Sequence, residues 1–313
     1  METEQIDEHI KNIGKTEETK NEMVRALDEE IAKIEKKMKG TEAENAIYYA
    51  LQTYQGEDAV IDSLSIPNLL EKMPPRINTG NYDLDKLTGG FGEENLVVIS
   101  GPTGQGKTLF AQNLTAWLFK ENHKTLWFSF EMSLSEIYER FQHLEAKPVF
   151  YIPKSNVTRS MVWLERKIVE GMAKFDTKFV VIDHTHYLFN MKESDNVSLS
   201  LGDLIRRLKL IARKYGIIIF LIHHLTKTDS LEGPTMGDLR DSSFVGQEAD
   251  YVIMVWRKPF KTTRRQVLME GIAYTNDMLV SVVKNRAYGK LGTLTLTFDN
   301  YNLKPAYAQP DSE

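Results

Sequence analysis

The sequence predicts an α/β fold with a mostly parallel central sheet, and two observations support that prediction. From Leu96 onward, short apolar runs alternate with helical stretches, which is the pattern of an α/β domain. The runs are continuous rather than alternating, as in strands that are buried on both faces of a parallel sheet. The second observation is a glycine-rich stretch, residues 101–108, which fits the pattern G-x-x-x-x-G-K-[ST] between the first run and a helix.

Five apolar runs are the predicted strands of the parallel sheet. They are Leu96–Ser100, Thr125–Phe130, Phe179–Asp183, Ile217–Ile222 and Tyr251–Trp256. Near the C-terminus, Met278–Lys284 and Thr293–Phe298 are two further strands separated by a turn that contains glycine. The second of these alternates with period two, so we predict a half-exposed C-terminal β-hairpin at the edge of the sheet.

The first 75 residues predict a small helical N-terminal region with a linker helix. Residues 15–40 are rich in Glu and Lys, and an apolar seam runs through them at Val24, Leu27, Ile31, Ile34 and Met38. The seam fits either a helix packed on its own domain or a clasp between subunits. We therefore predict three segments: the helical region (1–75), an α/β core (76–305) and a C-terminal tail (306–313).

Composition narrows the class of protein. The chain has 313 residues, a net charge of −5 and no cysteine, which argues against a uniformly basic nucleic-acid-coating face, a disulfide framework and a thiolate metal site. The longest apolar run, residues 216–222, is far shorter than the ~20 residues that span a bilayer. The acidic N-terminus does not resemble a secretory signal, so we expect a cytoplasmic protein without a membrane partner.

The glycine-rich stretch is predicted to cradle phosphate groups. Its glycines let backbone N–H groups turn toward an anion, and the N-terminus of the next helix adds partial positive charge. Lys107 is expected to contact the β- and γ-phosphates, and the Thr108 hydroxyl to hold Mg²⁺. The predicted nucleotide-binding residues are Gly101, Pro102, Thr103, Gly104, Gln105, Gly106, Lys107, Thr108 and Leu109.

Acidic residues follow two of the other predicted strands, where ligands of parallel sheets bind. Asp183 ends the third apolar run and is predicted to anchor Mg²⁺ together with Thr108. Glu131 follows the second run and fits a general base that polarises the attacking water. An alternative for Glu131 is an acid that stabilises the start of the helix over residues 133–145.

Four histidines lie at the ends of two predicted strands: His184, His186, His223 and His224. Such a cluster could bind a transition metal. The other interpretation is that one histidine contacts the γ-phosphate while the rest are structural.

Taken together, these motifs resemble the hexameric replicative DNA helicases of the DnaB family, of phage or bacterial type, within the RecA-like ATPases. The resemblance covers about residues 76–305. It includes the segment Arg76–Gly90 before the first strand, Ser129–Met132 with Glu131 in the catalytic-glutamate position, Val181–Asp183, and Leu221–Leu225. The last of these aligns with a strand that ends in a polar γ-phosphate sensor, which implies that role for His224.

The resemblance also implies functions for two segments near the C-terminus. Residues 237–250 are similar to the loop that lines the central pore, which places Arg240, Asp241 and Ser243 against DNA phosphates. Val283–Arg286 resembles a K-x-R motif, so Arg286 is expected to act as an arginine finger on the neighbouring subunit's nucleotide, with Lys284 beside it. The alternative is a solvated pair of charges on a hairpin.

The implied activity is an ATP- and Mg²⁺-dependent replicative helicase, a homo-hexameric ring that translocates 5′→3′ on single-stranded DNA and unwinds duplex. A primase or a helicase loader is an expected partner. Two alternatives stay open: a RecA-like recombination or helicase-loading ATPase that does not unwind, and a non-DNA ATPase of the same fold. The chain departs from the family pattern in its short N-terminal region, in Ser243 at a glycine position and in lacking a primase-like domain.

Overall fold

The computed structural model describes residues 29, 32–33, 41–52, 54, 59–70, 74–155, 160–184, 197–225, 233–239, 243–260 and 273–306. The chain divides into two compact units, Met1–Met73 and Pro74–Glu313. In the first unit, helices α1 (Thr41–Gln52) and α2 (Ile66–Leu70) are described. On α1, Tyr48, Tyr49 and Leu51 are exposed. The predicted seam from Val24 to Met38 lies outside the described residues, so its two interpretations stay open.

The second unit contains helices and eight strands in the described residues. The helices are α3 (Tyr82–Thr88), α4 (Lys107–Lys120), α5 (Leu134–Gln142), α6 (Met161–Phe175), α7 (Val197–Tyr215) and α8 (Ser243–Glu248). The strands are β1 (Leu96–Gly101), β2 (Thr125–Ser129), β3 (Phe179–Asp183), β4 (Ile218–His224), β5 (Tyr251–Pro259), β6 (Tyr274–Asn285), β7 (Gly292–Asp299) and β8 (Asn302–Pro305). A short 3₁₀ helix spans Met236–Asp238.

The strands form one sheet in the order β2-β3-β4-β1-β5-β6-β7-β8. The first five strands in this order pair in parallel. Strand β6 then pairs antiparallel with β5, β7 with β6, and β8 with β7. The predicted fold class is therefore confirmed, including all five apolar runs as parallel strands. The C-terminal hairpin of β6 and β7 is also present, and the additional strand β8, which we did not predict, extends it at the sheet edge.

Side chains on the two faces of the sheet enter two separate cores. In β1, Val97 and Ile99 pack on the side of α4, whereas Leu96 and Val98 pack on the side of α6 and α7. All four side chains are fully buried. This two-sided burial explains why the parallel strands have continuous apolar sequences.

The sheet register determines which strand ends meet. Gly101 at the end of β1 is the neighbour of His224 on β4, and Ser129 on β2 is the neighbour of Asp183 on β3. Because parallel strands run in one direction, all of these residues lie at the carboxyl edge of the sheet. Among the described residues, none of the helices combines the length and apolar character that crossing a membrane requires.

Candidate active site

The loop between β1 and α4 has backbone conformations that favour glycine at both ends. At Gly101, φ is +155°, and an added Cβ would lie 2.0 Å from the backbone oxygen of Val255. Gly106, with φ of +95°, is the N-cap of α4, and its added Cβ would lie 2.6 Å from Cε of Met278. At Gly101 the loop can therefore pass the β5 backbone only without a side chain, whereas at Gly106 it is the positive φ that favours glycine, because the end of the Met278 side chain can shift. This close passage leads the chain directly into the N-terminus of α4.

Lys107 is folded back onto this loop. Its Nζ donates to the backbone oxygens of Gly101 and Pro102, each at 2.9 Å. Burial lowers the pKa of Lys107 to about 8, against the opposing attraction of the Asp183 and Glu131 carboxylates. Among the described residues, the hydrogen bonds of the Lys107 ammonium go to carbonyl oxygens, so a phosphate oxygen would give it a stronger, charge-assisted interaction.

Thr108 and Asp183 are brought together, as we predicted. The Thr108 hydroxyl donates to Oδ2 of Asp183 at 2.9 Å, and Asp183 is fully buried. Within the described residues, Oδ1 of Asp183 has no hydrogen-bond partner. Burial raises the pKa of Asp183 to about 6, and the nearby Glu131 carboxylate adds to the rise. A hydroxyl beside a buried carboxylate with a spare oxygen fits a hard cation such as Mg²⁺, which prefers oxygen ligands.

Glu131 lies beside this pair, and its side chain is about half exposed. Its Oε2 lies 3.6 Å from Nδ1 of His184. The helix that follows does not use Glu131 as its cap: Ser133 is the N-cap of α5, and Ser133 and Glu136 together form a capping box. Ser133 and Glu136 therefore cap the start of α5 directly, and both interpretations of Glu131 stay open.

The histidines separate into two groups. His184 follows β3, His224 ends β4, and their ring centroids are 4.5 Å apart at an interplanar angle of 75°. Ligand atoms of Glu131, His184 and His224 all lie within 4.8 Å of one another, so these three could hold a metal. His223 is outside this group; it is buried beside Ser100, whose hydroxyl donates to the His223 carbonyl. His186 lies outside the described residues.

Lys284 and Arg286 lie at the amino-terminal edge of the parallel strands, opposite the glycine-rich loop of residues 101–108, which we call the phosphate loop after its predicted role. Asn285, between them, pairs with Tyr251 at the start of β5, and Tyr251 is the neighbour of Val97 on β1. Gly101 is four residues further along β1, or about 13 Å at the rise of a β-strand. The two basic residues are thus far from the phosphate loop of their own chain.

Both basic side chains bind the C-terminal end of α8. Nζ of Lys284 donates to the carbonyl oxygens of Gly246 and Ala249 and, at 3.3 Å, of Gln247. The guanidinium of Arg286 donates to the Gln247 carbonyl and lies 3.6 Å from Oδ1 of Asp250. These contacts differ from the solvated pair that we considered as an alternative.

Our sequence analysis did not single out Arg257, which contacts the phosphate loop in the structure. Its backbone N–H donates to Oε1 of Gln105 in the phosphate loop at 3.0 Å. Its guanidinium lies over the rings of Tyr274 and Phe298, 5.7 and 5.5 Å from the centroids. The rule that ligands bind at the ends of parallel strands could have found it, because it directly follows the apolar run 251–256.

A family model now decides the classification. The DnaB-like helicase C-terminal domain matches residues 76–148 and 142–304. The chain belongs to this DnaB-like helicase family.

Among known proteins, the chain is similar to a probable replicative DNA helicase of Trieres chinensis, with 26% identity over 72% of this chain and 56% of that protein. It is also 27% identical to the replicative DNA helicase DnaB of Mycoplasma pneumoniae, over 72% of this chain and 55% of the relative. The chain therefore spans about half the length of the curated relatives it matches.

Solved structures show the same fold. The ATPase domain of G40P matches with a TM-score of 0.64 at 21% identity, over 80% of this chain and all of that domain. A structure of a DnaB-like replicative helicase and its interactions with primase also gives a TM-score of 0.64, at 18% identity, over 92% of this chain and 77% of that one.

The DNA-contacting residues expected for a DnaB-like chain are only partly described. Arg240 and Asp241 lie outside the described residues, and Ser243 is the first residue of α8. Their roles, and those of the other site residues, stay predictions. The described structure does bring Lys107, Thr108, Asp183, Glu131 and His224 to one edge of the sheet, but it places Lys284 and Arg286 at the other.

Proposed function

We propose that this chain is an ATP-driven replicative DNA helicase that works as a homo-hexameric ring, translocating 5′→3′ on single-stranded DNA and unwinding duplex. One observation carries the proposal. The phosphate loop, Asp183 and Glu131 converge at one edge of the sheet, while the Arg286 side chain lies at the other. A site that uses this arginine therefore needs a second subunit, which makes hydrolysis depend on assembly.

Within one subunit, each residue has a distinct task. Lys107 neutralises charge on the β- and γ-phosphates, and the loop N–H groups from 101 to 109 hold their oxygens. Thr108 and Asp183 hold Mg²⁺, which supplies positive charge at the phosphates when it is bound. Glu131 accepts a proton from the attacking water, and His224, in register with Gly101, contacts the γ-phosphate.

Arg286 supplies the remaining positive charge from the neighbouring subunit, with Lys284 beside it. Phosphoryl transfer is mostly positioning and charge stabilisation, and an arginine finger accelerates related NTPases by roughly 10³–10⁵. Because the finger belongs to the next subunit, hydrolysis at one interface is linked to the conformation of the other. This linkage can move the DNA-contacting residues Arg240, Asp241 and Ser243 around a ring.

The comparisons support this assignment. Several relatives are replicative DNA helicases by name, and one solved structure of similar fold concerns a replicative helicase that interacts with primase. We propose a primase or a helicase loader as partner of this chain on that basis. The net charge of −5 is compatible with DNA binding, because a ring concentrates a few basic residues and backbone N–H groups at its centre.

A strand-displacement assay tests the proposal. A forked duplex with a free 5′ single strand should be unwound in the presence of ATP and Mg²⁺, and the Lys107→Ala chain should not unwind it. A substrate with only a 3′ single strand distinguishes the polarity. ATP-dependent binding to single-stranded DNA without any unwinding would instead favour the recombination or loading ATPase.

A further inference from the structure

Arg286 is held within the subunit by a pair of groups that we call the arginine dock, at the C-terminal end of α8 and two residues beyond it, and these groups have no assigned task in the reaction. The dock consists of the Gln247 carbonyl and the Asp250 carboxylate, which both face Arg286. The backbone N–H of Arg286 also donates to the Asp250 carbonyl at 2.9 Å. An arginine held by these groups directs its guanidinium to atoms of its own subunit.

Asp250 has the burial and the partners to hold a cation at a defined position. It is 6% exposed; its Oδ2 accepts from the Leu96 N–H at 2.8 Å and lies 2.7 Å from Nζ of Lys209. The Leu96 and Lys209 contacts fix the carboxylate against the start of β1. Its other oxygen, Oδ1, is the one directed at Arg286.

Lys284 fastens the same helix end to β6. Its ammonium donates to the carbonyls of Gly246, Gln247 and Ala249, where the helix dipole and the free carbonyls favour a cation. Burial lowers the pKa of Lys284, and the neighbouring Arg286 guanidinium lowers it further. Lys284 and Arg286 therefore repel each other at the dock, which makes the half-exposed Arg286 the easier of the two to release.

Helix α8 connects this dock to the predicted DNA contacts. It is six residues long, from Ser243 to Glu248, which corresponds to about 9 Å. Arg240, Asp241 and Ser243 are at or just before its first residue in the chain. Because α8 has only six residues, we expect a displacement at its first residue to reach the carbonyls at its last turn.

We propose that Gln247 and Asp250 are positioning residues that hold Arg286 withdrawn in its own subunit until DNA engages the start of α8, and that the release of Arg286 lets it complete the neighbour's active site. The proposal rests on the proposed function, because it needs a DNA-contacting loop and a finger that acts in trans. The proposal explains why Lys284 and Arg286 contact the end of α8, the helix that follows the predicted DNA-contacting residues, rather than the phosphate loop.

Hydrogen exchange tests the dock without nucleotide or DNA. In Arg286→Ala, exchange of the backbone amides of residues 247–250 should be at least about threefold faster than in the wild type, as expected for the loss of a half-exposed charge-assisted contact. Arg257→Ala removes an arginine from the other edge of the sheet and should leave these amides unchanged. Unchanged exchange in Arg286→Ala overturns the dock.

Steady-state ATPase tests the coupling. Asp250→Asn keeps the size of the side chain and its hydrogen-bonding oxygen but weakens the hold on Arg286. We expect DNA-independent turnover to rise at least about threefold and the stimulation by single-stranded DNA to fall by a similar factor. A purely structural role for Asp250 predicts the reverse sign, a loss of turnover both with and without DNA, and that result overturns the proposal.

Asp203→Asn on α7 is the matched control, because this exposed carboxylate pairs with Arg207 at 2.8 Å and lies outside the dock and the predicted pore loop. It should change neither turnover nor stimulation. If Asp250→Asn does not fold, hydrogen exchange of the wild-type protein is measured with and without single-stranded DNA instead. Amides of residues 247–250 that exchange at the same rate in both cases then contradict the coupling. Failure of the helicase assignment itself appears separately, in strand displacement.

Discussion

The substitution Asp183→Asn should stabilise the nucleotide-free protein at neutral pH while it abolishes activity. Asp183 is fully buried, and burial raises its pKa from an ordinary 3.8 to about 6. An acid with a raised pKa in the folded state destabilises the fold when it is ionised. This cost is complete above about pH 6 and is relieved as the pH falls toward 3.8.

The difference between these two pKa values corresponds to about 3 kcal/mol at 1.36 kcal/mol per pKa unit. Asparagine keeps the oxygen that accepts from Thr108 and is not ionised. We therefore expect Asp183→Asn to be more stable by about 3 kcal/mol at pH 7.5 and by about half of that at pH 5.

Urea unfolding of both proteins between pH 5 and pH 7.5, with EDTA and without nucleotide, measures this difference. Asp203→Asn is the control, since Asp203 is exposed in its pair with Arg207 at 2.8 Å, and it should shift stability by no more than about 0.5 kcal/mol. The reasoning is refuted if Asp183→Asn is less stable than the wild type at pH 7.5, or if the difference does not vary with pH.

Six further substitutions test the site. Lys107→Ala should lose nucleotide binding, whereas Glu131→Gln should bind ATP but hardly turn it over; near-normal turnover in Glu131→Gln contradicts its role as base. Arg240→Ala should weaken single-stranded DNA binding and lower the salt slope by roughly one, and an unchanged slope removes it from the DNA path. Mixed rings of Arg286→Ala and Lys107→Ala chains, each inactive alone, should partly recover ATPase; no recovery despite co-assembly contradicts a finger in trans. Gly101→Ala should destabilise the fold by more than about 3 kcal/mol, because its Cβ would lie 2.0 Å from the Val255 oxygen, whereas Gly104→Ala, with nothing within 4 Å, should cost only about 1–2 kcal/mol in thermal or urea unfolding.

Local sequence determined the elements of the α/β unit and the phosphate loop. Apolar runs such as Phe179–Asp183 are strands because both of their faces are buried, and that burial is visible in the composition of the run itself. The glycines of the loop are similarly informative, because few other residues accept the backbone conformation at Gly101 or Gly106. Asp183 and Glu131 were also predictable, since a parallel sheet places its ligands at strand ends.

Strand order and register were decided only by the tertiary structure. Nothing in the sequence near His224 shows that it lies beside Gly101, because that neighbour relation comes from pairing between strands more than a hundred residues apart. The four-residue strand β8 is too short to have a readable period. Arg257 contacts the phosphate loop because β5 pairs with β1, which is likewise a pairing between distant segments of the chain.

The position of Arg286 shows most clearly what local sequence determines and what only the tertiary structure determines. Its sequence motif indicated a basic residue on a hairpin, and the resemblance implied a finger. That it lies at the opposite edge of the sheet from Lys107, bound to Gln247 and Asp250, follows from the antiparallel pairing of β6 with β5. An antiparallel strand ends where its partner begins, so the end of β6 lies beside the start of β5. The direction of β6, which no local sequence pattern encodes, therefore separates Arg286 from the phosphate loop of its own subunit.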